Sequence, residues 1–365
     1  ARNLLELGHH VNIIAPEGSI ENTHNISLDA VVTSWNLLTL FKIRQWASRN
    51  ALDVVCLQFE TAAYNMSAWI HFLPHLLGKI PLIVTFHDLL VPYLFPKAGQ
   101  IRHWIMRHLA RSTDAIIMTN QEDLMTLGDI NTRTLIPIGS NIETNLPDGY
   151  DREAWRNKAG VATDDFLIAF FGFMNRTKGV EILLEDVAII RDYYNYPIKI
   201  IMIGGRTGDS DPSNIQYAQD IDHLIEKYAL TDHIHWTGYV DEKQVSAYLT
   251  ASDAVALPFR DGASYRRGSL MAAIHHSTAI ITTEPNVYIP LFVNGENMLL
   301  APMQVLDENC PPYIHISQEI LRLYRDRELR EHLRKGAKAL STHFEWRNIA
   351  ENHISFFNHV LGEKI

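Results

Sequence analysis

The chain has 365 residues, of which 47% are hydrophobic and 20% charged, and its net charge is −10 at pH 7. It is too long for one ordinary domain, apolar enough to bury real cores, and too acidic for a nucleic-acid binder, whose footprint is basic. No apolar run reaches the roughly 18 residues of a bilayer span, and Cys56 and Cys310, the only two cysteines, are too few and too far apart for a disulfide framework or a metal cluster.

In chain order, Leu4, Leu5 and Leu7 follow a helix pattern that ends at Gly8. Strand-like apolar runs then fall at Val11–Ala15, Ala30–Thr33, Val54–Phe59, Leu82–Phe86, Ala115–Thr119 and Thr134–Pro137, with helical patterns at Asn36–Arg49 and Ile101–Arg111. The second half repeats the scheme. Strands are expected at Phe166–Phe171, Ile198–Ile203, His233–Thr237, Ala254–Pro258 and Ala279–Thr283, and helices at Val180–Tyr194 and Asp241–Ala251. Alternation at this spacing predicts parallel sheets wound with helices, hence two Rossmann-like domains. A wound sheet normally begins with a strand and its loop, so on the order of 20 further residues are expected before the first helix. Glu17–Ser27 reads as a polar loop, and the domain boundary is expected where Gly139-Ser140-Asn141 leads into a polar stretch.

Several segments together resemble the GT-B glycosyltransferases of the retaining family 4 type. They are Gly172-Phe173-Met174-Asn175-Arg176-Thr177-Lys178-Gly179-Val180-Glu181, Ile203-Gly204-Gly205, Trp236-Thr237-Gly238-Tyr239-Val240, Ala251-Ser252-Asp253-Ala254, Leu257-Pro258-Phe259-Arg260-Asp261-Gly262 and Asn294-Gly295-Glu296-Asn297. In the first half Leu57-Gln58-Phe59-Glu60, Thr85-Phe86-His87-Asp88 and Ile136-Pro137-Ile138-Gly139 stand in the matching order, and Trp346–Leu361 resembles the closing helix. The resemblance implies an α/β GT-B fold: residues 1–142 as an acceptor-side domain lacking its first strand and loop, 143–343 as a donor-side domain, an interdomain cleft, and a helix in 344–365 crossing back. It also implies transfer of a hexose, glucose first, from a UDP-sugar to a saccharide or lipid-linked acceptor, with retention and without a metal or other cofactor. The expected setting is the cytoplasm, with peripheral contact at the inner membrane face as an added expectation.

The departures matter too. The family's second glutamate has Met271 in its place, and its first-loop arginine aligns with Phe173. Asp261-Gly262 stands for the first acidic position, and Arg266 and Arg267 are new nearby. These changes keep two alternatives open: another GT-B activity such as sugar-nucleotide epimerisation, and a catalytically silent binding subunit.

A departing diphosphate needs cations and backbone N–H groups at a helix start. Lys178, Arg266, Arg267 and the backbone of Gly268, Ser269 and Leu270 are the candidates, joined by Asn175, Arg176, Gly205, Arg206 and Ser264 on the donor side. Arginine suits phosphate because its planar fork donates two parallel hydrogen bonds. Asp261 is expected to accept hydrogen bonds from donor-sugar hydroxyls. By resemblance His87 contacts the sugar's 6-hydroxyl, and Gln58 and Glu60 are acceptor-side candidates. Three signals are set aside: the Asp209-Ser210-Asp211 triplet as a metal site, adjacent His275 and His276 as ligands, and any phosphate loop with a Gly-x-Gly-x-x-Gly pattern, which is absent. Tyr93–Arg111, aromatic and basic, reads either as an amphipathic helix packed on its own domain or as a membrane-facing one.

Overall fold

The computed structural model describes residues 1–19, 26–89, 101–128, 132–206, 212–304 and 313–362. Part of the Glu17–Ser27 loop, the first half of Tyr93–Arg111, the Asp209-Ser210-Asp211 triplet and Cys310 lie outside the described residues. The chain divides into two compact units, Ala1–Gly139 with Glu345–Ile365, and Ser140–Phe344.

In the first unit α1 (Arg2–Glu6) leads into β1 (Asn12–Pro16), which runs parallel to β2 (Ser27–Val32). Asn36 caps α2 (Leu37–Arg49) by accepting from the Thr39 N–H, and Leu40, Ile43 and Ala47 form its buried stripe. Then come β3 (Val55–Phe59), a 3₁₀ helix at Trp69–His75, β4 (Leu82–Phe86), α3 (Ile101–Ser112), β5 (Ala115–Met118), α4 (Gln121–Leu127) and β6 (Thr132–Leu135). Strands β3 to β6 make one parallel sheet in chain order. β4 and β5 are buried at every position, which is why they read as unbroken apolar runs. The closing helix Trp346–Leu361 lies on this sheet, with Ile349 and Phe356 against Ile83, Ala115, Ile117 and Ile136.

Two details differ from the sequence reading. β6 ends two residues before the expected Pro137, because its register pairs Thr132 with Ala115 and Leu135 with Met118, and a proline has no N–H for a ladder. The first unit's sheet is also in two pieces. β1 and β2 pair only with each other, and the Asn12–Ile14 side of β1 and the Val55–Gln58 side of β3 line a shared cavity of about 530 Å³.

The second unit opens with α5 (Arg152–Lys158), β7 (Phe166–Phe171), α6 (Val180–Tyr194), β8 (Ile198–Ile203), α7 (Pro212–Lys227), β9 (Ile234–Gly238) and α8 (Glu242–Ala251). It continues with β10 (Ala254–Leu257), α9 (Gly268–His275), β11 (Ile280–Thr283), β12 (Leu299–Ala301), α10 (Ser317–Arg325) and α11 (Arg327–Ser341). Its main sheet, among the described residues, has six parallel strands in the order β12-β11-β10-β7-β8-β9, and Met303–Gln304 pairs antiparallel with Tyr313–Ile314 beside it in sequence. The chain winds outward from β7 to β9, returns to lay β10 beside β7, and winds the other way to β12. The loops after β7 and β10 therefore diverge from neighbouring strand ends. That switch point is where open α/β sheets bind ligands.

A buried ion pair ties this unit together. Arg156 on α5 is only 1% exposed. It donates to Asp253 Oδ2 at 2.9 Å and to the carbonyls of Ala162 and Asp165 at 3.2 and 2.6 Å. Asp253, at the turn into β10, also accepts from the Leu167 N–H at 2.8 Å and from Arg152 at 2.7 Å. A residue type that is rarely buried is tolerated here because both terminal nitrogens of Arg156 are hydrogen-bonded, while its Nε makes no hydrogen bond and lies 4.0 Å from Glu153.

Candidate active site

The loop after β7 is shaped by two glycines with positive φ. Gly172 (φ +123°) ends the strand, and a Cβ there would collide with the Lys178 ammonium. Gly179 (φ +64°) stands immediately before α6, and a Cβ there would collide with the Pro258 carbonyl oxygen at the end of β10. Only glycine lets the two loops come this close. Between them Arg176–Lys178 form a 3₁₀ turn, so Lys178 stands two residues before the start of α6 rather than opening it.

Lys178 is half-buried over Gly172, and its ammonium pKa is pushed down to about 8, by burial first and by the Arg267 charge second. Among the described residues no carboxylate pairs with it. A buried cation in that position is built to meet an anion. Ser269, in the first turn of α9 and buried, lies next to the same glycine. The free amides of Gly268, Ser269 and Leu270 open that helix, with Gly268 exposed and the space beyond it open. Ser264 lies in the preceding loop, where its carbonyl accepts from the Arg267 N–H at 3.1 Å.

The arginines divide. Arg267 forms an ion pair with Asp261, lies over the Phe259 ring at 4.7 Å, and reaches Thr177 Oγ1 at 3.4 Å. The sequence reading gave Asp261 to the sugar and Arg267 to the phosphate as separate groups. The structure joins the two in an ion pair, Gly262 (φ +78°) turning the chain so that they face each other. The Asp261 carbonyl accepts from Asn286 Nδ2 at 2.9 Å, which holds the turn. Arg266 is partly buried beside them. Arg206 turns to its own unit: it chelates Asp222 at 2.9 and 2.8 Å and lies 4.5 Å from the Trp236 ring centre. Arg176 is 73% exposed beside Asp220 at 3.5 Å, and Asn175 accepts from Thr177 at 2.8 Å. Gly205 follows the Gly204–Gly238 bridge at the end of β8.

A partly buried trio was not legible. Glu181, in the first turn of α6, accepts from both Arg260 Nε and the Tyr217 hydroxyl, while Tyr217 also accepts from the Val180 N–H at 3.0 Å. The charged Glu181 directly after Gly179-Val180 was the available signal. Met271, which stands for the missing glutamate, is 1% exposed and packed in the core, while Phe173 is 51% exposed on the loop after β7. His276 is buried between Ala272 O and Ser246 Oγ at 2.8 and 3.0 Å.

In the first unit His87 follows β4. Its N–H donates to Phe59 O at 3.1 Å, and its carbonyl accepts from Thr119 Oγ1 at 3.0 Å. The ring Nε2 meets Gln58 Oε1 at 2.9 Å, and the Gln58 amide nitrogen is engaged by Thr85 Oγ1 at 3.3 Å and Cys56 Sγ at 3.2 Å. With the amide nitrogen so engaged, Nε2 is the ring atom that carries the proton. Burial lowers the His87 pKa from its ordinary value, against the opposing charges of Glu60 and Asp88, so the ring is neutral at pH 7. His87 and Gln58 line the 530 Å³ cavity, and Glu60 is exposed outside it.

Parallel wound units of this kind, one with a cationic loop and a helix start at its switch point, define the GT-B glycosyltransferase class. The chain belongs to the group 1 glycosyl transferases: that family's model matches residues 151–340, and the model for glycosyltransferase family 4 matches residues 1–133. It is 26% identical over 309 residues to a D-inositol 3-phosphate glycosyltransferase of Corynebacterium diphtheriae, covering 79% of this chain and 67% of that protein. The enzyme of the same name from Xylanimonas cellulosilytica is 23% identical over 195 residues, 49% of this chain and 44% of that protein. The chain thus spans about half to two thirds of the length of these curated relatives. Among solved structures, the sucrose-phosphate synthase of Thermosynechococcus elongatus superposes with a TM-score of 0.71 at 18% identity, covering 99% of this chain and 91% of that one. The Anabaena protein HepE, crystallised with UDP, superposes with a TM-score of 0.70 at 17% identity, covering 92% and 86%.

Proposed function

We propose that this chain moves a hexose from a UDP-sugar to a hydroxyl of a saccharide or lipid-linked acceptor, with retention at the anomeric carbon. The observation that carries the reading is Lys178, a half-buried cation without a carboxylate partner among the described residues, held over Gly172 beside the start of α9. Complexes of the Anabaena protein with UDP and UDP-glucose support UDP-glucose as the donor to try first.

In this mechanism the bond from the anomeric carbon to the diphosphate breaks, and the acceptor oxygen bonds to that carbon from the same face. The acceptor proton passes to the departing phosphate oxygen. Lys178 and the α9 amides take up the charge of the leaving diphosphate, at fixed positions and without reorganisation. The Asp261–Arg267 pair opens to share its groups between sugar hydroxyls and phosphate. Neutral His87 already donates its one ring N–H to Gln58 Oε1 and could offer it elsewhere only by exchanging that bond.

The test is incubation with UDP-glucose, with phosphorus NMR to follow UDP release and proton NMR to read the anomeric product. Wild type should release UDP, and Asp261→Ala, which also frees Arg267, should bind UDP at least as well as wild type while losing about tenfold in UDP-glucose affinity. UDP binding without turnover on any acceptor would favour the silent-subunit reading, which Met271 and Phe173 keep in view.

A further inference from the structure

We infer that Glu181 is a positioning residue of the donor site: through Arg260 and Tyr217 it sets where the loop carrying Lys178 stands relative to the loop carrying Asp261 and Arg267. The inference rests on the transferase reading, and Glu181 acts in it only through its neighbours.

The two loops need something to hold them. The ladder between β7 and β10 consists of the pairs Ile168–Ala254 and Ala169–Val255, so it stops short of the strand ends from which the loops leave. Connecting loops are the mobile part of such a unit, and a group displaced by about 1 Å from the reacting atoms can lose much of its effect. Two contacts bridge the gap. The Arg260 N–H donates to the Thr177 carbonyl at 2.9 Å, and Arg260 Nε donates to Glu181.

Glu181 is the node of this bracing. One of its carboxylate oxygens takes Arg260 and the other takes the Tyr217 hydroxyl. Its side chain is only 13% exposed, so water competes little for either bond. Tyr217, buried on α7, accepts from the Val180 N–H at 3.0 Å, a group that the first turn of α6 leaves without a helical partner. One carboxylate thereby ties the start of α6 to α7 and to the loop after β10.

The bracing reaches the charges of the site. Thr177, whose carbonyl Arg260 holds, has its hydroxyl 3.4 Å from Arg267. Lys178 follows Thr177 in the same 3₁₀ turn. Arg260 is followed directly by Asp261, the ion-pair partner of Arg267. A shift of Arg260 would pass to Asp261 along the backbone and to Lys178 through Thr177. Supporting bonds of this kind decide how closely a site keeps its working geometry.

The experiment is calorimetric titration of UDP into wild type, Glu181→Ala, Glu181→Gln, Lys178→Met and the double variant Glu181→Ala with Lys178→Met. Glutamine keeps an oxygen for Arg260 and a polar group for Tyr217, and alanine keeps neither. Glu181→Ala should weaken UDP about tenfold, and Glu181→Gln by no more than about threefold. Since Glu181 acts through the Lys178 loop, its loss should matter little once that cation is gone. The double variant should then bind within about threefold of Lys178→Met. A carboxylate that only stabilised the unit would lower the thermal midpoint or the number of competent sites and leave the affinity of the folded fraction unchanged. Tyr217→Phe removes one hydroxyl from a ring that stays packed, and covers the case in which Glu181→Ala does not fold. It should weaken UDP about threefold, and hardly at all beside Lys178→Met. The inference fails if Glu181→Ala, or Tyr217→Phe in its place, binds UDP as wild type does. It also fails if glutamine is as poor as alanine, or if the two losses multiply in the double variant. Wild type that binds no UDP is a separate result: it overturns the transferase reading, and this inference with it.

Discussion

Replacing Lys178 with Met should cut UDP affinity by about 2 kcal/mol, roughly thirtyfold, the size of a hydrogen bond to a charged group. Turnover should fall further, by about 10² to 10³, because negative charge on the leaving diphosphate is greatest in the transition state. Methionine keeps the length of the side chain over Gly172, so the loss reports the charge. Lys178 also sets a pH dependence. Its pKa is about 8 in the free protein, and a bound diphosphate raises it. Affinity should therefore be flat below pH 8 and fall as pH rises through that value, by up to tenfold per unit, until the bound-state pKa is reached. Calorimetric titration of UDP across this range should show proton uptake on binding above pH 8 in wild type and none from this site in Lys178→Met. An affinity independent of pH would remove Lys178 from the phosphate site.

The largest expected loss of stability follows from Arg156→Met. The substitution takes the donor from the carbonyls of Ala162 and Asp165 and leaves the Asp253 carboxylate only Arg152 and the Leu167 N–H in the second unit. Breaking a buried pair from one side costs about 3–5 kcal/mol, which for a unit of this size lowers the thermal midpoint by about 10 °C. Asp253→Leu added to Arg156→Met should restore part of the loss, since the carboxylate is then gone too. Differential scanning calorimetry of wild type, the single variant and the double variant checks both statements. A double variant no more stable than Arg156→Met would show that shape, not charge, dominates the site.

Strands whose two faces are both covered were legible in the sequence. Phe166–Phe171 and Ile198–Ile203 match the expected bounds because the first is unbroken apolar sequence and the second is broken only by Lys199 near its start, with polar residues flanking the first. β12 was missed: three residues at the sheet margin carry too little pattern. α7, α10 and α11 were missed for a different reason. Their buried residues are sparse among charged ones, and their helicity is decided by the sheet and helices beneath.

Of the candidate site, the residue types were legible and the pairings were not. Lys178 was found because strand, glycine and helix bracket it. That Arg267 would turn to Asp261 depends on a left-handed Gly262, and that Arg206 would turn to Asp222 depends on α7, sixteen residues away. The buried Arg156 could not be anticipated, because its carboxylate lies 97 residues along the chain.

The division of the first unit's sheet has a consequence for how that unit opens. β1 and β2 share one short ladder and are fastened to the rest through α1 on the closing helix and through Trp46 Nε1, which donates to Asp29 at 2.6 Å. Among the described residues no backbone ladder runs from them to β3. Freeing the pair breaks no hydrogen bond of the four-stranded sheet, so it should act as a cooperative subunit of low stability. Native-state amide exchange should then fall into two populations. Ile13 and Ala30 should exchange through a sub-global opening, while Val84 and Ile117, fully buried on central strands, should exchange only when the whole unit unfolds.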